Sequence, residues 1–241
     1  MSTPRLFCPD LRKGTNVLSG EEAHHALHAL RVSVGGSVVV FDGRGNESLA
    51  RVIKASRREL SVDAEDISTY GFETPAHLTL AVSMPKTHRQ GFLIEKCTEL
   101  GVAAIWPMIT ARTVAKPSQA AIDKWRRRAI EAAKQSGRHW LPDIAALQPF
   151  EKVLPQCPSF DRAAVAHVDE RSTPATEWLA TVTPGSRILV LVGPEGGWAD
   201  EEREAVTSAG LPLLKLTATT LRTETAAVAL AAISGILGSG L

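Results

Sequence analysis

From Ala76 onward, short apolar runs alternate with stretches of helical periodicity, and this alternation constrains the fold more than any other feature of the chain. Strands separated by helices are joined by crossovers, so they lie parallel in one sheet with helices packed on it. The pattern predicts strands at 78–83, 103–108, 163–168, 188–192 and 213–216, with helices at 89–100, 119–136, 174–181, 200–209 and 224–237. Gly101, Gly137 and Gly210 follow three of these helices, and glycine most easily takes the left-handed conformation that ends a helix. The last helix is uncharged from Ala226 to Leu237, so it is expected to be buried all round, against its own sheet or a second subunit.

The first seventy residues read differently. Val- and Ile-rich runs at 5–8, 37–41, 47–54 and 59–66 are separated by turn clusters such as Asp42-Gly43-Arg44-Gly45, the signature of a small β-barrel-like module. One helix interrupts it near Ser19, with Glu21 and Glu22 in its first turn, where carboxylates favour the helix dipole. Tyr70-Gly71-Phe72-Glu73-Thr74-Pro75 separates the two patterns, giving domains at 1–72 and 76–241.

With 44% hydrophobic and 22% charged residues, the 241-residue chain can bury a core. Its longest uncharged apolar stretch is too short for a membrane span and is not at the amino end, where a signal peptide lies. Three widely spaced cysteines (Cys8, Cys97, Cys157) make neither a disulfide framework nor a CxxC zinc pair. A cytoplasmic protein is expected. The net charge of +1 hides an uneven distribution: residues 85–140 carry 11 Lys and Arg against 4 Asp and Glu. Such a block suits a phosphate-binding surface or a solvated helix face. Within it Ile122, Trp125, Ala129 and Ala132 form a buried stripe at helical spacing, so Arg126, Arg127, Arg128 and Lys134 are expected to point outward.

The strand at 188–192 runs into Gly193-Pro194-Glu195-Gly196-Gly197-Trp198, a turn whose backbone can approach a ligand closely. Neither a P-loop nor a dinucleotide fingerprint is spelled there. Glu195, Asp200, Glu201 and Glu202 favour a neutral or cationic ligand over a pyrophosphate. A second turn follows 213–216, where four threonines and Arg222 precede the apolar helix. Thr223 and Glu224 are explained by capping and the helix dipole; Arg222 is not, and it lies where α/β sheets bind ligands. His25 and His28, expected on one helix face, lack zincin spacing, so no metal site is expected.

These pieces together resemble one family: Arg5-Leu6-Phe7, His24-His25 leading to Leu30-Arg31, Glu95-Lys96-Cys97-Thr98-Glu99-Leu100-Gly101-Val102, Glu131 through Gln135-Ser136-Gly137-Arg138, the Gly193 to Trp198 turn and Leu221-Arg222-Thr223-Glu224-Thr225-Ala226. The chain resembles the bacterial 16S ribosomal RNA uridine N3-methyltransferases of the RsmE type, within the SPOUT class. The resemblance implies a PUA-like β-barrel for RNA, a trefoil-knotted parallel-sheet methyltransferase domain, a homodimer and S-adenosylmethionine as methyl donor. It places cofactor contacts at Val192, Gly193, Glu195, Gly196, Gly197, Leu216, Thr219, Leu221 and Ala226, and RNA contacts at Arg5, His25 and Arg31; Arg126, Arg127 and Arg128, by their outward placement, are expected to neutralise RNA phosphates. Arg222 and Arg138 are expected to stabilise charge on uracil or a phosphate, and Glu224 or Glu99 to accept a proton, unless both carboxylates only cap and pair. The substrate would be 16S RNA, in the small subunit or free. This chain departs from the family pattern in having Thr217, Thr219 and Thr220 where glycine, arginine and isoleucine are usual. A non-catalytic RNA binder and a SPOUT enzyme with another target nucleotide are the rival readings.

Overall fold

The computed structural model describes residues 3–56, 58–114, 116–169 and 171–237. The chain forms two compact units, one of residues up to Glu73 together with Ile130–Leu141, the other of Thr74–Ala129 and the chain from Pro142 on.

The first unit contains β1 (Arg5–Phe7), β2 (Gly14–Ser19), α1 (Gly20–His28), β3 (Ser37–Phe41), β4 (Asn46–Ala55), β5 (Glu59–Ala64) and β6 (Ser68–Thr69). The strand order is β1-β3-β4-β5-β2, with β6 beside β4. Only the β1–β3 pairing is parallel. Alternate residues Val38 and Val40, and Leu60 and Val62, pack with Leu6, Leu18, Ala23 and Ala26 of α1 into one core, as period-two side-chain alternation requires. A register shift between Val52 and Lys54 interrupts the β4–β5 ladder.

β2 escapes the sequence pattern because a buried Asn16 sits at one of its core-facing positions. Its side chain donates to the carbonyls of Arg12 (2.7 Å) and Gly14 (2.8 Å) and accepts from the Arg12 amide (3.0 Å), so the burial is hydrogen-bonded. A second difference is the return of Ile130–Leu141 to this unit. Lys134 is not outward-facing as expected: it is buried between Glu22 (3.0 Å) and Glu131 (2.7 Å). Trp140 bridges to Arg44 and donates to the carbonyls of Tyr70 and Gly71. Gly45, at φ +93°, lies so close to Trp140 and the Tyr70 carbonyl that an added Cβ would fall within 2.7 Å of both.

The second unit follows the predicted alternation: β7 (His77–Ser83), α2 (Thr87–Glu99), β8 (Ala104–Ile109), α3 (Gln119–Ser136), β9 (Asp143–Ile144), β10 (Gln148–Pro149), α4 (Phe150–Val153), β11 (Arg162–Ala166), β12 (Thr173–Pro174), α5 (Ala175–Ala180), β13 (Arg187–Val192), α6 (Asp200–Ser208), β14 (Leu213–Lys215) and α7 (Thr223–Leu237). α3 is shared, its residues from Ile130 belonging to the first unit. The sheet order is β10-β8-β7-β13-β11-β14-β12, with β9 beside β8, and all its pairings are parallel. Leu189 and Leu191 join a core with Val153, Trp198 and Val206, while α7 packs against β7 and β13. The near-continuous apolar run of β13 is that of a strand buried on both faces. The three glycine stops hold: Gly101, Gly137 and Gly210 all have φ near +70°.

The chain's own packing covers α7 only in part. Within the chain it is buried only along Thr223, Glu224, Ala226, Ala227, Leu230, Ala231 and Ser234, whereas Ile236 is 59% exposed. The four residues that end the apolar stretch lie outside the described residues. No helix among the described residues is long and apolar enough to cross a membrane.

Leu191 is fully buried at the centre of this sheet. Leu191→Ala is expected to cost about 2–5 kcal/mol of unfolding free energy, read as a lowered urea midpoint.

Candidate active site at the carboxyl edge of the parallel sheet

Because the strands run parallel, their carboxyl ends meet at one edge, and the loops leaving β7, β8, β11, β13 and β14 share it. The loop after β13 is held tightly. A Cβ on Gly193 would lie 2.8 Å from the Trp198 ring, so only glycine lets the turn close over that indole. Trp198 in turn donates through Nε1 to the Ala166 carbonyl at 3.2 Å. Gly197 is left-handed and its amide donates to the Pro194 carbonyl at 2.9 Å. Buried Glu202, read from the sequence only as an acidic residue of the next helix, accepts from the amides of Ala199 and Ala111, both at 2.8 Å. It caps α6 and ties the β8 loop to it. From that loop Arg112 donates to the Gly196 carbonyl at 3.0 Å.

A cleft lies between this turn and the loop after β14. Val192, Gly193, Glu195 and Gly197 line one side, Leu216, Thr219 and Leu221 the other. Ala166, His167 and Val168, at the end of β11, complete it. Of the expected cofactor contacts, Gly196 and Ala226 are not among the lining residues. Gly196 instead meets Arg112, and Ala226 is buried in the first turn of α7. The threonines have a local job: Thr217 Oγ1 donates to the Thr219 carbonyl (2.7 Å) and lies 3.3 Å from the Thr219 amide, closing the turn on itself.

A neighbouring cavity of about 640 Å³ shares His167 and Trp198 with the cleft. Its charged lining is already paired, Asp169 with Arg171 and Asp200 with Arg203, so it presents less unsatisfied chemistry. Burial lowers the pKa of His167, which favours the neutral imidazole at the boundary of the two cavities.

Arg222 is exposed just before α7. Thr223 does not cap the helix but donates to the Gly193 carbonyl at 3.0 Å. Glu224 is buried and pairs with Arg89 at 3.2 Å. Arg89 carries one local signal in the sequence, a cation in the first turn of a helix, the wrong sign for the dipole. Glu99 pairs with Lys96. Cys97 is fully buried, which pushes its thiol up to about 12 and keeps it protonated.

The remaining expected contacts belong elsewhere. Arg138 is in the first unit, where it pairs with Glu73 at 2.8 Å. Burial lowers its pKa and the Glu73 charge acts in the opposite direction. Arg5 pairs with Glu47 and donates to the Arg138 carbonyl at 3.0 Å. Arg31, exposed after α1, has a left-handed φ of +53°. His25 is half-buried. His24 and His28, four apart, bring their rings within 4.4 Å; they share the helix face expected for His25 and His28, since four residues turn a helix closer to a whole number of turns than three. Arg126, Arg127 and Arg128 are exposed as expected, but Arg126 pairs with Asp123 and Arg128 with Glu95.

A curled, mostly antiparallel sheet and a parallel α/β unit with a glycine-turn cleft define a two-module class, and sequence comparison specifies it. Residues 72–235 match the RNA methyltransferase domain family and residues 18–65 the RNA methyltransferase PUA domain family. A ribosomal RNA small subunit methyltransferase E from Synechocystis is 33% identical, covering 94% of this chain and 75% of its own length; the one from Mycobacterium bovis is 34% identical, covering 92% and 87%. The crystal structure of a ribosomal RNA small subunit methyltransferase E from Neisseria gonorrhoeae bound to S-adenosyl methionine superposes with a TM-score of 0.85 at 29% identity, covering 96% of each chain. A Legionella pneumophila methyltransferase in complex with the same cofactor gives 0.87 at 26%, covering 97% of each. The chain belongs to the ribosomal RNA small subunit methyltransferase E family of RNA methyltransferases.

The lowered His167 pKa sets a pH dependence. Below the ordinary imidazole value of about 6.5, the unfolded chain binds the proton more readily than the folded one. The stability contribution is therefore complete above that value and is lost as pH falls through the lowered folded value. Urea unfolding followed from about pH 8 to about pH 5 should show less acid-side loss in His167→Gln than in the unsubstituted protein.

Proposed function

We propose that the chain methylates N3 of a uridine in 16S ribosomal RNA, with S-adenosylmethionine as donor and the small ribosomal subunit as substrate. The observation that carries this is the cleft at the carboxyl edge. Its lining combines apolar side chains (Val192, Leu214, Leu216, Leu221), accessible loop backbone and one carboxylate, Glu195. That donor set fits a ligand with a flat ring, hydroxyls and a positive sulfonium, and not a pyrophosphate. The cofactor supplies an electrophilic methyl group. Gly193, Gly197, Leu216, Thr219 and Leu221 would hold it, with Gly196 and Ala226 supporting the two loops. A knot through these loops, as the family resemblance implies, would fix them against each other.

The protein's own groups then have two tasks. Uracil N3 must lose its imide proton, so the site must favour the anion. Arg222, exposed between the cleft-lining Leu221 and Thr223 and without an ion-pair partner among the described residues, would stabilise charge on uracil oxygens or a flanking phosphate. The RNA must also be oriented, a task assigned to residues 1–72 as a PUA-like module with Arg5, His25 and Arg31, and to Arg126, Arg127 and Arg128 of α3. Residues 76–241 carry the methyl transfer. Arg138 contributes through Glu73 and the Arg5 contact. A second copy of the chain would cover the exposed end of α7. A ribosomal substrate would make the protein cytoplasmic.

Labelled methyl transfer to small subunits from cells lacking this protein, with the product nucleoside identified by mass spectrometry, tests the reaction; N3-methyluridine is expected, and another nucleoside would refute the assignment. Arg222→Ala should lower turnover by about 10²–10³-fold with cofactor affinity unchanged. Replacing Arg126, Arg127 and Arg128 together by alanine should weaken RNA binding and flatten its log–log salt slope by up to about 3, measured by filter binding across a salt series.

A further inference from the structure

The first turn of α2 contains no acidic residue and carries Arg89 instead. A cation there opposes the helix dipole, so its partners must come from elsewhere. They are two carboxylates: Arg89 Nη1 lies 3.2 Å from Glu224 Oε1 and 3.6 Å from Glu195 Oε1. Glu195 belongs to the glycine turn and lines the cleft, and Glu224 adjoins Thr223, which lines it too. One guanidinium thus joins the first turn of α2, the loop after β13 and the first turn of α7.

Glu224 is bound by one oxygen only. Its side chain is 8% exposed, and Oε2 is buried with no hydrogen-bond partner among the described residues. A carboxylate that capped its helix would accept from backbone amides, and no amide donates to Glu224 Oε2. An acceptor removed from water and left unpaired is costly, and such groups concentrate where a substrate completes them.

We infer that Arg89 is a positioning residue of the methyl-transfer site: it holds Glu224 by Oε1 and leaves Oε2 to accept the imide proton of the target uracil. This rests on the reaction proposed above. The proton passes from N3 to Oε2, and the electron pair of the N–H bond stays on nitrogen and forms the bond to the methyl carbon. The carbon–sulfur pair stays on the sulfur of the sulfonium donor, which leaves as a neutral thioether, and the glutamic acid returns its proton to water. Glu195, 3.6 Å from the same Nη1, is the second carboxylate partner of Arg89.

The test uses the full chain, with small ribosomal subunits as substrate and S-adenosylmethionine binding measured separately by calorimetry. Arg89→Met should lower kcat by at least about 30-fold and Glu224→Gln by about 10²–10³-fold, within the range of general-base loss. KM and cofactor affinity should stay within about threefold of the unsubstituted protein, because neither group contacts the donor in this assignment. Arg89→Lys should recover most of the activity. In the Glu224→Gln background, Arg89→Met should cost less than about threefold more, since the two act as a unit. Normal turnover in Arg89→Met, full additivity with Glu224→Gln, no recovery with lysine, or a loss confined to cofactor affinity would each overturn the inference while N3-methyluridine formation by the unsubstituted protein stands. Absence of that product would overturn the reaction and this inference together. Should Arg89→Met fail to fold by circular dichroism, the isosteric Glu224→Gln and Arg89→Lys carry the test: normal turnover in Glu224→Gln overturns it.

Discussion

Parallel pairing of β13 between β7 and β11 is the constraint on which the second unit depends. It makes the sheet apolar on both faces, which requires helices on each, and it aligns the carboxyl ends of five strands at one edge. The loops that line the cleft leave the sheet at that edge. The pairing by itself leaves the loops undetermined; they are fixed by a few buried polar contacts. Glu202 joins two loops through two amides, Thr223 joins α7 to Gly193, and the indole of Trp198 reaches back to β11.

Charge in residues 85–140 behaves differently from the surface its sequence density implies. Lys134 and Arg138 satisfy Glu22 and Glu73 in the first unit, Arg128 and Lys96 meet Glu95, and Arg89 serves Glu195 and Glu224. What is left for nucleic acid is a subset of that block, with the first unit's partners drawn from acidic residues far away in sequence. Global neutrality and a basic segment are thus compatible with modest free positive potential.

The elements of the second unit were legible because hydrophobic period and glycine punctuation are local signals. Helix 119–136 and, in the first unit, strand 37–41 fall where the pattern puts them, and both cleft loops were visible as turns rich in glycine or threonine. What escaped depends on contacts distant along the chain. β2 is masked by Asn16, whose polarity is cancelled only by carbonyls that the fold brings round it. Arg89 looks like an ordinary surface residue until two carboxylates more than a hundred positions away close on it. The source of burial for α7 stays open in the sequence because the absence of charge shows that a helix prefers burial, not how much of it the chain itself provides. The threonine departure reads as a loss of charge in sequence, whereas the structure shows a hydroxyl closing its own turn.

The assignment of Ile130–Leu141 to the first unit has a consequence for modularity. Compact units and contiguous segments do not coincide in this chain: the first unit is completed only after α2, β8 and half of α3 have been synthesised. A fragment ending at Glu73 would leave Glu22 without Lys134, Glu73 without Arg138 and the Gly45 turn without Trp140. Exchange of the amino-terminal module between relatives therefore has to carry two separate stretches of gene, and a newly made chain cannot finish its first unit until more than half of it has left the ribosome.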